Sequence, residues 1–568
     1  MSTAGSIDWA CLRRIDTGST FGRLLDWDAA GYFRIAPLSD AATVTRRYVE
    51  DTMVLETTFW TPDGVARLLD LLALTTEGLP IASLVRIVEG VSGAVTFGVE
   101  MRARYDYGRL RPWVRTHTDC VHSLLGGDDG LLINTDMPLE VEDDADMCGT
   151  VTVRAGERRR IALDVRWPHE IDPPTDIPPS AAQLDQRLED TIVGWRRIRE
   201  DVSIGPSLRR SALVLRALGN ADTGAIAAAA TTSLPEVVGG DSNWDYRYTW
   251  IRDSWLTVRS LAEVGDIDCA DRFRRFVERS AAGQVAELQI VFGVGGEHDL
   301  FERELDHLEG WRGSGPVRIG NAAAGQLQLD AFGELLELAW LWHERGFQPD
   351  DDWWRFLVDV ADHTAERWRE PDHGIWEIRG DRRHFVHSKA FAWVALDRAT
   401  RLAEELGRDG DVARWRTEAD HCHEETLRRG TTAEGWIADA YDSKVLDAAV
   451  LLLPSVGFVH WTDPRMVATV DAVIDRLVDD GLVRRREGWD DEGAFLPCSF
   501  WLVECLAHQG RVDEAKAFFD RVTSLANDVG LFAEEHDTRT GQPLGNYPQA
   551  LTHLSHITAA VALRDASR

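Results

Sequence analysis

Hydrophobic positions along the chain change period near residue 180. Before that point they alternate. In AVTFGVEMRARY, Val95, Phe97, Val99, Met101, Ala103 and Tyr105 share one side, and in RIALDVRW, Ile161, Leu163, Val165 and Trp167 do the same. Period-two runs broken by Gly-containing turns predict antiparallel strands with one covered face. Enough of them precede residue 170 to predict an N-terminal antiparallel β-sandwich, residues 1–180. The stretch WPHEIDPPTDIPPS carries five prolines and predicts a break. A linker with a bridging helix, LDQRLEDTIVGWRRI, is expected within 181–205.

From residue 206 to 568 the pattern is helical. Helices are predicted to begin near Ser207, Trp250, Cys269, Ala322, Asp352, His387, Asp411, Asp442, Asp463, Phe495, Val512 and Tyr547. Twelve sequential helices predict six helical hairpins closed into a ring, an (α/α)6 barrel. The even-numbered helices are the more apolar, as in FAWVALDRA, FLPCSFWLVECLA and ALTHLSHITAAVAL. A helix that is apolar nearly all round is buried on most sides, so the even helices form the inner layer.

The loops before the even helices carry the chemistry. NWDYRYTWIRDS (243–254) packs four aromatic rings, two arginines and two aspartates ahead of helix two. GWRGSGPVRIGN precedes helix four, HGIWEIRGDRRHFVHSK helix six and AYDSKVLD helix eight. RRREGWDDEGAF precedes helix ten and LFAEEHDTRTGQPLGNYPQ helix twelve. In a ring of hairpins these loops emerge at one end, which predicts a polar pocket with aromatic walls. Loops before the odd helices, such as GDID, are short and plain.

Charge and composition narrow the class of ligand. A formal charge of −33 disfavours nucleic acid or an anionic membrane as partner, because phosphates are repelled. Seven scattered cysteines (Cys11, Cys120, Cys148, Cys269, Cys422, Cys498 and Cys505) suit reduced thiols in a cytoplasm better than a disulfide framework. The opening MSTAGSIDWACLRRID has no apolar run to act as a signal peptide, and no later segment is expected to span a bilayer. Most of the 22 tryptophans are expected in cores, and a few as platforms for sugars.

NWDYRYTWIRDS, SGPVRIGNAAAGQLQLD, GIWEIRG, HFVHSK, EGAFLPCSFW and LFAEEHDTRTGQPLGNYPQALTHLSHI resemble the signature segments of glycoside hydrolase family 15. That family contains glucoamylases, glucodextranases and bacterial and archaeal trehalases. The resemblance runs from SIDWACLRRID almost to the C-terminus and implies the same two-domain architecture. Many relatives carry an additional strand-like stretch before the GSIDW segment, which this chain lacks.

The resemblance also implies roles. Family members invert the anomeric centre with two glutamates. Glu377 of GIWEIRG matches the general acid and Glu534 of FAEEHD the general base, with Glu535 the competing choice. Inversion requires carboxyl groups roughly 6.5–9.5 Å apart, leaving room for a water. The acid must stay protonated near neutral pH, which implies a dry setting beside Trp376. Arg252 and Asp253 match a pair that grips sugar hydroxyls, and Tyr246 a tyrosine bordering the catalytic water. Trp250 is expected in the pocket wall, with Trp244, Asp245 and Arg247 as scaffold. Trp311 is a candidate aromatic platform, and Lys389 either contacts the pocket or braces Glu377. One of Arg484, Arg485 and Arg486 is expected to reach the leaving-group sugar.

Three other clusters have plainer readings. HCHEE (421–425) falls inside helix seven, where adjacent side chains diverge, so it reads as a solvated face and not a ligand set. PDDDW (349–353) reads as a helix start and GVGGE (293–297) as a turn. No metal, nucleotide or redox cofactor is expected. Some trehalases of the resembled family respond to phosphate and Mg²⁺, and no pattern here assigns such sites. The function implied is an inverting, exo-acting α-glucoside hydrolase that releases β-glucose from a non-reducing end. Trehalose ranks first as substrate and malto- or isomalto-oligosaccharides second. A glycoside phosphorylase and a non-catalytic sugar-binding protein are the alternatives.

Overall fold

The computed structural model describes residues 1–171, 178–200 and 205–568. The chain forms two compact units. One takes the described residues before 204 together with Leu305–Val317 and Asn527–Gly530, and the other takes the rest. The proline-rich break falls partly on 172–177, and the boundary expected near 201–204 also lies outside the described residues. The two excursions, 305–317 and 527–530, are absent from the contiguous division read off the sequence. The helix Ala181–Glu200 belongs to the first unit, where Thr191 Oγ1 accepts from Leu74 N at 2.9 Å and Arg187 pairs with Asp164 at 2.7 Å.

The first unit is an antiparallel β-sandwich built around one long strand. Pro80–Arg102 pairs through its first half with Gly64–Leu74 and Arg158–Arg166, and through its second half with Tyr32–Pro37 and Asp146–Arg154. Both layers turn apolar side chains onto one core, with Phe59, Leu84, Val88 and Ile133 from one and Phe33, Ile35, Phe97 and Met101 from the other. Inside it Arg86 is paired with Asp70 and donates to Phe33 O and Gly5 O, so no part of that guanidinium is left dry and unpaired.

The second unit is an (α/α)6 barrel. Its helices are Pro206–Ala217, Ser254–Glu263, Ile267–Ala281, Asp330–His343, Asp351–Arg367, Val386–Leu406, Val412–Gly430, Pro464–Arg476, Leu496–His508, Val512–Thr523 and Ala550–Ala566, with the 3-10 turn Ala448–Leu452 in eighth place. The even members close a ring. The second packs on the fourth, the fourth on the sixth, the sixth on the 3-10 turn, that turn on the tenth, the tenth on the twelfth and the twelfth on the second. The eighth member is short for a local reason. Asp447 caps it by accepting from Ala449 N at 2.8 Å, and Pro454, without an N–H, follows its last residues. Helix four starts at Asp330 and not near Ala322, because Asn321 caps a separate 3-10 turn over Ala322–Gly325. Asp350 caps helix five, as PDDDW suggested, by accepting from Trp353 N at 2.8 Å.

One glycine sets how closely two inner helices approach. A Cβ on Gly333, in helix four, would stand 2.1 Å from Phe391 O of helix six. Gly333→Ala is therefore expected to lower stability by about 1–3 kcal/mol through overpacking, more than alanine's helix propensity returns. Chemical denaturation followed by circular dichroism checks this. An unchanged or raised midpoint would mean that the two helices can part at no cost.

Candidate active site

A cavity of about 670 Å³ opens within the barrel unit. Residues before and within the even helices line it. The segment before helix two supplies Tyr246, Trp250, Arg252 and Asp253; that before helix six supplies Ile375, Trp376 and Glu377; those before helices ten and twelve supply Arg485, Phe495, Glu534 and Gln549. The inner helices add Trp255, Glu334, His387 and Trp501.

Local backbone geometry aims the two central carboxyls. Trp250 lies in a two-residue strand that pairs with Val291, and its ring meets Tyr246 edge-on at 5.4 Å. Glu377 sits in a turn after Gly374 with φ 57°, a left-handed conformation uncommon for glutamate and characteristic of functional positions. Its Oε1 accepts from Trp250 Nε1 at 2.6 Å and from Arg252 Nη1 at 2.9 Å. Arg252 is itself fixed by Ile375 O at 2.8 Å and by Asp253. Burial raises the Glu377 carboxyl above the usual range in spite of Arg252 beside it.

Glu534 and Glu535 are separated by strand alternation. Ala494–Phe495 pairs with Glu535–Asp537, and Leu496 N bonds to Glu534 O at 3.0 Å. Successive side chains then point to opposite sides. Glu534 lines the cavity and Glu535 does not. Glu534 Oε2 accepts from Asn546 N at 2.9 Å, while Oε1 has no hydrogen-bond partner among the described residues. Gly545, with φ 71°, makes this possible, since a Cβ there would stand 2.3 Å from Glu534 Oε2. Burial, reinforced by Glu236, pushes the Glu534 carboxyl up to about 8, against the pull of Arg485, the Asn546 amide and Tyr246. Tyr246 stays a neutral phenol, its pKa raised by burial and by Glu534.

Beside Glu534 stands a cage. Arg485 Nη2 pairs with Glu236, with Glu492 at 2.7 Å and with Glu535 at 3.0 Å. Burial raises the carboxyls of Glu492 and Glu535. These three carboxylates are close enough together to hold a cation. The guanidinium already stands between them, so a metal ion would have to displace it and the residues present do not fit one. Of the three consecutive arginines, Arg485 lines the cavity, whereas Arg484 pairs with Asp490 and Arg486 with Asp439 at 2.8 Å.

Two candidates lie elsewhere. Lys389 does not line the cavity: its buried Nζ donates to Trp368 O at 2.6 Å and to Glu370 O, and burial lowers its pKa to about 8. It thus ties down the loop that leads to Glu377. Trp311 belongs to the segment Leu305–Val317 of the sandwich unit, where Gly310 N donates to Leu25 O at 2.9 Å and the His307 ring bonds Tyr107 O at 2.9 Å. It lines no part of the cavity, and neither does any residue of 310–321. Scaffold roles are visible for Asp245 and Arg247, a fully buried pair at 2.6 Å, and for Trp244, which lies under Arg318 and Arg379. Trp376 donates its Nε1–H to Asp447 at 2.9 Å, and burial pushes that carboxyl up to about 7. In HCHEE, Cys422 is buried and the His423 ring bonds Phe458 O at 2.9 Å.

Residues missed from sequence are Glu334, His387, Trp255 and Trp501. Glu334 had a legible signal, because acidic residues in the middle of the largely apolar DAFGELLELAWLWH, Glu334 and Glu337, call for a reason.

Comparisons with known proteins agree with this architecture. Residues 208–561 match glycosyl hydrolases family 15, and residues 1–173 match the family described as trehalase-like, N-terminal. The trehalase of Mycolicibacterium smegmatis is 36% identical over 602 residues, spanning 99% of this chain and 88% of its own length. The trehalase of Thermoplasma volcanium is 32% identical, spanning 99% of this chain and 91% of its own. A bacterial glucoamylase solved in complex with acarbose superposes with a TM-score of 0.76 at 12% identity, over 99% of this chain and 91% of that one, a likeness of fold.

The cage generates a stability prediction with a sign. Arg485→Met leaves the buried carboxyls of Glu236 and Glu535 and the half-buried one of Glu492 without their cation, a loss on the order of 3–5 kcal/mol near neutral pH. Glu492 and Glu535 have raised folded-state values, so above pH 4–5 the folded protein binds protons that the unfolded chain has released. Stability therefore falls as pH rises. The variant is expected to lose more at pH 8 than at pH 5, as read from denaturant midpoints. An equal loss at both would detach the effect from the carboxylates.

Proposed function

We propose a reaction for this chain from one premise: it belongs to glycosyl hydrolases family 15. It is a glycoside hydrolase, and the reaction proposed is inverting hydrolysis of trehalose. One glucose leaves as the β-anomer and the other as the leaving group. A single observation carries the acid–base reading. Glu377 and Glu534 reach the same cavity from different loops, each with one carboxyl oxygen held by the protein.

Both hydrogen bonds to the Glu377 carboxyl fall on Oε1, so a proton on Oε2 is the one available to the glycosidic oxygen. The raised pKa keeps that proton in place until the bond breaks. Glu534 Oε1 is the free acceptor for a water, with the Tyr246 phenol nearby. The raised proton affinity makes Glu534 a stronger base once ionised, and Arg485, Tyr246 and Asn546 favour the ionised form. Arg252 and Asp253, side by side on the cavity wall, suit a pair of sugar hydroxyls. No cofactor takes part.

Trehalose is favoured because the relatives named trehalase span nearly the whole chain and residues 1–173 match a trehalase-like region. A cytoplasmic setting fits the seven free cysteines. No helix among the described residues is long and apolar enough to cross a membrane.

The test separates acid from base. Fluoride needs no protonation to leave, so Glu377→Gln is expected to lose about 10²-fold or more in kcat on trehalose while keeping most of its rate on α-glucosyl fluoride. Glu534→Gln is expected to lose that much on both. Polarimetry of trehalose hydrolysis should detect α- and β-glucose in equal initial amounts, the β-anomer from the inverted residue and the α-anomer from the leaving group. Maltose, isomaltose or starch cleaved faster than trehalose would overturn the substrate; initial release of α-glucose alone would overturn the mechanism.

A further inference from the structure

Two buried polar side chains that line the cavity carry atoms with no hydrogen-bond partner among the described residues. Glu334 of helix four is 1% exposed and His387 of helix six is 3% exposed, and both line the cavity beside Arg252 and Asp253. Glu334 Oε2 and both ring nitrogens of His387 make no hydrogen bond among the described residues. The imidazole is stacked on Phe391 at 4.6 Å, and its Nδ1 stands 3.5 Å from Asp330 Oδ2, outside a good bond. An unmade hydrogen bond on a dry group costs about 1–3 kcal/mol, so several at one spot beside a cavity point to something that completes them.

We propose that Glu334 and His387 form a polar floor that hydrogen-bonds ring hydroxyls of the innermost sugar unit. The proposal rests on the glycosidase reading above and names the residues that choose its sugar. The side chains come from neighbouring inner helices, and the close approach of Gly333 to Phe391 fixes the gap between those helices. Burial, with Asp330 and Asp253 nearby, holds the Glu334 carboxyl well above its ordinary range, so near neutral pH it is an uncharged acid. Such a group donates through one oxygen and accepts through the other, and the imidazole adds a donor and an acceptor. A hydroxyl is also both. Arg252 and Asp253 supply charged contacts to the same sugar, whereas the floor supplies neutral ones that a deoxy sugar leaves unmade.

A structural cluster bridged by water would show the same orphan atoms but would not tell one hydroxyl from another, and that difference is measurable. Glu334→Leu, Glu334→Gln and His387→Phe are compared with wild type by glucose binding in titration calorimetry and by turnover of α-glucosyl fluoride and its monodeoxy derivatives. Wild type is expected to disfavour at least one monodeoxy derivative by about 10²-fold or more in kcat/KM. Glu334→Leu should shrink that ratio below about threefold and weaken glucose binding, while Glu334→Gln keeps most of both. His387→Phe should reduce discrimination at a second position. Undiminished discrimination at every position, or glucose binding equal to wild type in Glu334→Leu, would overturn the floor. If the fluoride is not turned over, the glycosidase reading fails and the binding comparison still decides this one. A wild type that neither turns over the fluoride nor binds glucose overturns both.

Discussion

Buried carboxyl groups outnumber buried cations around the cavity, and the chemistry follows from that imbalance. Arg252 serves Glu377 and Asp253; Arg485 serves Glu236, Glu492 and Glu535. Glu334 and Glu534 have no cation paired to them among the described residues. A dry carboxylate without a cation is costly, so such groups keep protons that they would lose in water. The proton that the proposed reaction needs is kept differently, on Glu377, whose carboxyl burial raises in spite of the Arg252 beside it. The site's carboxyls titrate as a linked set, so the limbs of a pH–rate profile belong to the cluster and not to single residues.

Placement of the two central carboxyls is a backbone matter. Glu377 reaches the cavity through a left-handed residue in the turn after Gly374, where Trp250 and Arg252 take one oxygen and leave the other. Glu534 reaches it because strand alternation turns Glu535 the other way, onto Arg485 and Gly493 N. The adjacent pair is therefore divided between two jobs. Glu534 lines the cavity, while Glu535 is held by Arg485 at one oxygen and by Gly493 N at the other. Gly545 belongs to this arrangement, because any side chain there would press on Glu534.

Much of this was legible in the sequence, and the exceptions have physical causes. The change of period at residue 180 separates strands from helices, and the apolar even helices identify the inner ring, since burial on all sides leaves no polar face. Convergence was legible for the loops before helices two, six, ten and twelve, whereas those before helices four and eight place no residue in the cavity. Trp311 was misplaced because a loop's position in the chain does not say which unit it packs on, and 305–317 packs with the sandwich. Lys389 sits in a segment that resembles the family's, yet a helix rotates successive residues by about 100°. His387 therefore faces the cavity while Lys389, two positions on, points to the carbonyls of Trp368 and Glu370. Glu334 could be noticed as an acidic residue in a largely apolar helix, but the pattern does not say that it faces the cavity. The Arg485 cage joins residues 236, 485, 492 and 535, a union that only the closed ring brings about.

The same charge balance bears on what attacks the sugar. A phosphorolytic enzyme would need cations beside Glu534 to receive a dianion. The nearest, Arg485, is already committed to three carboxylates, and Glu236 adds further negative potential to Glu534 itself. An incoming phosphate would have to pull that guanidinium from its partners and approach a carboxyl at the same time, paying repulsion and desolvation together. Water meets neither cost. It needs one acceptor, and Glu534 Oε1 is a free one. Carboxylates gathered beside the proposed base thus do more than fill space: Glu236 raises the proton affinity of Glu534, and their charge opposes the approach of an anion.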